Sequence, residues 1–217
     1  MAFKFNRDTK AAQAASKGGV IDTGVHVVKI LNAYLYEFNS GENAVDLEIE
    51  TKTGQKGTIF GICVDEKRHT GGENYDYPRW MELVEVADMK TGDTVMVKRK
   101  VMKNGKEVEE DAVAFKELQG FKCTMAIQIE KDWYNGQEKD KRNLHSTYFL
   151  DGRSLSEVAA GIEVAKRSKS LATKLKDYES KAYKNRAAAN AEAGAIPNDE
   201  AQDTAGSAEA EGDEDLF

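Results

Sequence analysis

The sequence predicts a mainly β protein, one antiparallel domain with a short helix after its third strand and a further helix towards its C-terminus. Three observations carry that reading. Val45, Leu47 and Ile49 alternate with Asp46, Glu48 and Glu50, and period two is the signature of a strand with one buried face. Two Asn-Gly pairs, 104–105 and 135–136, each stand between β-type runs, the strongest short hairpin signal. Eighteen Gly against two Pro in 217 residues supply turns without breaking strands. Composition divides the chain into a polar arm (1–19), a β domain (20–160), a basic helix and linker (161–195) and an acidic tail (196–217) that is expected to stay disordered. That leaves one core of about 150 residues.

The first strand is expected from Val20. Val25, Val27, Val28, Ile30 and Leu31 lead into Tyr34-Leu35-Tyr36-Glu37-Phe38, a run long enough to require a bend or bulge near Asn32-Ala33. Asn39-Ser40-Gly41 turns it into the alternating second strand, whose acidic face should be wet. A third strand spans Gly57 to Val64, and a polar, Gly-rich loop from Asp65 closes at Pro78. From Pro78 the residues Trp80, Leu83, Val84 and Ala87 fall on one helical face, with Pro in the first turn, where its missing N–H is not needed.

Thr94 to Met102 and Lys106 to Phe115 flank the first Asn-Gly pair. Cys123, Met125, Ile127 and Ile129 alternate along the next strand, and Leu144 to Leu150 returns as its partner. The segment between them reads as a charged loop holding Lys131, Trp133, Tyr134, Lys139, Lys141 and Arg142. Ser154-Leu155-Ser156-Glu157 has the capping-box pattern. Beyond Gly161 the spacing predicts a long polar helix with the thin stripe Leu171, Leu175, Tyr178 and Ala182, suited to docking on the domain or on a second copy as a homodimer.

Charge is unevenly placed. The net charge is −7, yet residues 198–217 carry eight carboxylates and no Lys or Arg, so the remainder of the chain is +1. The tail closes with Asp213-Glu214-Asp215-Leu216-Phe217, an apolar pair that a merely solubilising tail does not need. No apolar run approaches the roughly 18 residues of a membrane span. Cys63 and Cys123 sit in apolar runs and read as core residues, and His26, His69 and His145 are scattered, so neither a metal site nor a cofactor is predicted.

Phosphate-loop, nucleophile-elbow and metalloprotease motifs are missing from the sequence, and no catalytic residue is assigned. The residues that remain are aromatics interleaved with cations on β-strands, the mixture that binds single-stranded nucleic acid: cations follow the phosphates and rings stack on bases. The candidates are Tyr34, Tyr36, Lys98, Arg99, Lys131, Trp133, Tyr134, Lys141 and Arg142, whereas Phe60 and Trp80 read as core. A reading of another class stands beside this one. Asp46, Glu48 and Glu50 on one strand face would serve a metal-dependent nuclease, or a recombination or annealing factor.

Three strands, a helix and a late hairpin resemble the oligonucleotide-binding fold, a five-stranded barrel with a helix between strands three and four, here with the 104–105 hairpin inserted. More narrowly, the chain resembles bacteriophage single-stranded DNA-binding proteins. Phe5-Asn6-Arg7, Gly24-Val25-His26-Val27-Val28, Leu118-Gln119-Gly120-Phe121-Lys122 and the acidic terminus closed by Phe217 carry the resemblance. It implies a protein that coats single-stranded DNA during phage replication, recombination or repair in the cytoplasm of the infected host. It also implies a tail, Asp213 to Phe217, that competes with DNA and recruits a polymerase, helicase or primase. Leu216 stands where bacterial tails have Pro, which points to a phage-encoded partner.

Overall fold

A computed structural model describes residues 20–103, 106–134 and 136–186; the expectations for the arm and the acidic tail lie outside them. The described elements are β1 (Gly24–Glu37), β2 (Asn43–Thr51), β3 (Lys56–Cys63), α1 (Tyr77–Ala87), β4 (Thr94–Lys103) and β5 (Lys106–Phe115). There follow β6 (Lys122–Tyr134), β7 (Gln137–Tyr148), α2 (Leu155–Ala159), α3 (Arg167–Ala172), β8 (Tyr178–Glu179) and α4 (Lys181–Lys184). The chain is β-rich and its strands pair antiparallel, save β8, which lies parallel to β6.

β1 is the spine. One edge pairs with β2, while the other is shared between β6, from Gly24 to Lys29, and β5, at Tyr34 and Leu35. The sheet therefore runs β3-β2-β1-β5-β4, with β6 and β7 leaving β1 at its other end. The sharing depends on a bulge: the β1–β2 register passes from Ile30↔Ile49 to Asn32↔Glu48 and omits Leu31, one residue before the expected bend. The extra residue keeps Val28 and Ile30 facing the core before the bulge and Ala33 after it.

That core gathers Val28, Ile30, Val45, Leu47, Ile49, Ile59, Met125, Ile127 and Leu144, and α1 covers it with Trp80, Leu83 and Val86. Val86 takes the place that spacing gave to Val84 and Ala87, which are partly buried. Trp80 packs against Phe115 with ring centroids 5.2 Å apart. Both cysteines are free thiols; burial pushes Cys123 up to about 12, so it stays a neutral core group, and Cys63 is half-buried.

Four expectations are corrected. The long basic helix does not form: after α3 the chain lies along β6 as β8, with Ser180 N–H donating to Lys131 O at 2.9 Å and Gln128 Nε2 to Lys176 O at 2.7 Å. Four widely spaced apolar residues bury too little to hold a long helix, and the edge of β6 offers this segment backbone partners instead. The charged loop is two strands, since β6 continues to Tyr134 and β7 resumes at Gln137; a ribbon extending past the core has no buried face to impose alternation. The acidic face of β2 is not wet at Asp46, which is 4% exposed under β4. Phe60, read as core, is 50% exposed. Its displacement traces to a β-bulge: Val45↔Ile62 and Leu47↔Ile59 leave both Phe60 and Gly61 opposite Asp46, and Gly61 takes φ +69°, a conformation that favours Gly.

Candidate nucleic-acid interface

The β4–β5 ribbon folds over the outer face of β1, β2 and β3 and leaves an open groove of about 570 Å³. Tyr34, Glu48, Phe60, Lys98, Arg99 and Lys100 are among the residues lining it. Val95, Val97, Arg99 and Val101 of β4 face inward and are half-buried, whereas Met96, Lys98, Lys100 and Met102 are exposed. Arg99 points inward, placing Nη2 2.5 Å from Asp46 Oδ2 and its guanidinium 4.6 Å from the centre of the Tyr34 ring. Asp46 also accepts the Gly61 N–H at 2.9 Å, so one carboxylate ties the β3 bulge to the β4 ribbon.

This geometry separates neighbouring cations by role. Lys98 bonds Asp111 and Lys100 bonds Glu107, both at 2.7 Å, with every side chain about 60% exposed. Solvent screens exposed pairs so that they contribute little, and either lysine can exchange its partner for a phosphate at little cost. The Arg99–Asp46 pair is 20% and 6% exposed. Removing one side of a buried pair costs roughly 3–5 kcal/mol, so Arg99 acts as a strut beneath the groove.

Tyr34 is 5% exposed beneath Arg99 and donates its hydroxyl to Glu48 at 3.1 Å; burial, then Glu48, pushes its pKa up to about 12. Tyr36 is half-buried edge-on to Phe38, and burial with Asp46 raises its hydroxyl too. Tyr34 forms the floor, and Tyr36, though predicted for the site, does not line the groove. The ring free to meet a base is that of Phe60, and the signal that could have found it is the Phe60-Gly61 pair in a strand, since an isolated strand Gly marks a bulge.

From Phe60 a narrow neck continues past Arg79 and Lys141 into a second cavity of about 210 Å³, lined by Arg79, Gln128, Glu130, Lys141, His145 and Tyr178. The groove shares Phe60 with the neck, and the neck shares Arg79 and Lys141 with the cavity, so the three lie side by side from the β4–β5 ribbon across β3 to the β6–β7 ribbon and are together called the trough. Tyr34, Lys98, Arg99 and Lys141 of the predicted set line it. Arg79, in ion pair with Asp76 at 2.5 Å, and Tyr178, whose hydroxyl accepts from Asn143 at 2.8 Å, were missed by sequence reading. Burial and Glu130 push the Tyr178 hydroxyl up to about 12.

Lys131, Trp133, Tyr134 and Arg142 lie on the β6–β7 ribbon away from the trough lining. Tyr134 is 57% exposed with Lys139 Nζ 4.8 Å from its ring centre, Trp133 is half-buried, and Arg142 Nε donates to Ile21 O at 3.2 Å. Three ribbon cations face acids across the ladder, Lys141 opposite Glu130, Lys131 opposite Asp140 and Lys139 opposite Asp132, whereas Arg142 faces Ile129. Asp46 and Glu48, suggested for metal binding, are engaged by Arg99 and Gly61 N–H and by Asn32 and Tyr34 respectively. The chain matches no protein-family model and no curated protein.

Proposed function

We propose that the chain is a non-catalytic single-stranded DNA-binding protein that coats DNA in phage replication, recombination or repair, with the trough as its binding surface. The observation that carries this is the exposed Phe60 ring set between two groups of solvent-reachable cations, Lys98 and Lys100 on one side and Arg79 and Lys141 on the other. Stacking on one ring is worth roughly 1–3 kcal/mol per base whatever the base, and the flanking cations match phosphates on either side of it. The acidic tail completes the proposal as a competitor of DNA and a contact for replication proteins.

We read the architecture as an oligonucleotide-binding barrel with β4–β5 inserted. β1 shared between β2 and β6 supports that reading, as does the approach of β3 to β7, where Gly57 lies against the Arg142 side chain. The test is a titration of dT oligomers followed by Trp fluorescence and mobility shift. Binding is expected to weaken by about 0.7 log unit per log unit of salt for each phosphate contacted. Neither quenching nor a shift at low salt would end the proposal.

A further inference from the structure

We infer that the cavity beyond the neck, of about 210 Å³, takes one base of the bound strand and selects guanine. The inference rests on the DNA-binding reading and adds to it a single base-selective position. Stacking on Phe60 is indifferent to the base; selection enters at this cavity. Its volume falls short of the roughly 300–1,000 Å³ of sites that take drug-sized ligands, which suits one base. Leu144 alone of its lining residues is buried, so the polar groups around it reach solvent.

The balance of charge favours a base over a phosphate. Arg79 and Lys141 share the lining with Asp76 and Glu130. A phosphate would meet two carboxylates there, whereas a neutral ring with donors on one edge and acceptors on another finds partners for both. Tyr178 supplies a ring on which such a base can stack.

The order of the groups selects the base. Arg79 and Lys141 also line the neck, whereas Gln128, Glu130 and Tyr178 line only the cavity, so cationic donors stand at the neck end and acceptors beyond them. Lys141 and Glu130 are opposite on the ladder yet form no ion pair, unlike Lys98 and Asp111, which meet at 2.7 Å on the β4–β5 ribbon. Glu130 is held instead by Asn143 Nδ2 at 3.0 Å and by the Tyr178 hydroxyl, which Asn143 also fixes at 2.8 Å. Gln128 spends its amide N–H on Lys176 O, leaving its carbonyl oxygen as an acceptor.

Guanine matches this order. Its O6 and N7 are neighbouring acceptors, the pair that Arg and Lys read most often, and its N1–H and 2-amino group donate from the adjoining edge. Adenine carries an amine beside N7 and would turn it on the cations. Cytosine brings one amine to the acceptor end, and thymine a single N–H. Arg79 and Lys141 each carry several N–H donors, so contact with the base leaves others for a phosphate at the neck.

The test measures the affinity of the full chain for a dT oligomer and for the same oligomer with one central dG, dA or dC. The single dG is expected to tighten binding about 5- to 150-fold, and dA and dC are not. Replacing that guanine by 7-deazaguanine, which lacks N7, or by hypoxanthine, which lacks the 2-amino group, should remove most of the gain with the protein unaltered. Lys141→Met, at an exposed ribbon position, should bind every oligomer more weakly and level dG with dT. Equal affinities for the four oligomers, or preference for another base, would overturn the inference and leave the DNA-binding reading standing. Binding to none would overturn both. A dG preference that survives in Lys141→Met would place base reading outside the cavity and overturn the inference as well.

Discussion

Arg99 reaches across 53 residues of sequence to Asp46, a carboxylate whose side chain is 6% exposed. Arg99→Ala leaves that charge buried and also uncovers Tyr34, so it is expected to remove roughly 3–5 kcal/mol of stability, read as a lower urea midpoint. Lys98→Ala, by contrast, should leave the midpoint nearly unchanged. Phe60→Ala is the complementary case: the side chain is half-exposed, so the fold should tolerate its loss. The affinity for dT oligomers should fall by roughly 1–3 kcal/mol, or about 5- to 150-fold, by fluorescence titration. Unchanged affinity with an unchanged fold would remove Phe60 from the interface. Lys98 and Arg99 are adjacent and alike in sequence; their roles divide because a strand sends them to opposite faces and a distant acid waits on one side.

At the scale of elements, α2 has only five residues yet is anchored by Glu157, which is 4% exposed. Its carboxylate accepts N–H groups from Ser154 at 2.8 Å, Lys166 at 2.8 Å and Arg167 at 2.9 Å. Those backbone hydrogen bonds hold its pKa at about 2, well below the usual glutamate. Because the folded value is the lower one, the stabilisation is fully present above the unfolded value of about 4.3 and is lost as pH falls towards 2. Glu157→Gln should therefore melt below the parent at pH 7, and the gap should narrow between about pH 4.5 and 2 in thermal melts followed by circular dichroism.

The Ser154 capping box was legible because its spacing is local, and so were β1 to β7 and α1, where apolar period or Asn-Gly turns mark the boundaries. The 161–184 segment was not, because its conformation is set by the edge of β6 rather than by its own periodicity. The 131–142 ribbon was misread for a related reason, its strands running on after their apolar pattern has ended.

At the scale of the molecule, acidity is segregated: the tail holds eight carboxylates and the rest of the chain is +1. A chain truncated after Ala195 is expected to bind dT more tightly than the intact one, most clearly at low salt, where charge is least screened. Equal affinities at low salt would end the competition model. Sequence reading found the cations and rings of β1, β4, β6 and β7, but it could not see that most of the clustered cations are answered by acids across the ladder. Nor could it join Arg79 to Lys141, residues of α1 and β7 that meet through the folding of the sheet.

The slender attachment of the β4–β5 ribbon to β1, through Tyr34 and Leu35, bears on how the protein breathes. Opening the ribbon requires those pairings and the Arg99–Asp46 link to part, while the ladders of β1 with β2 and β6 stay whole. The ribbon is thus a cooperative unit of its own, and its amide hydrogens should exchange with solvent through local openings at a free energy well under that of global unfolding.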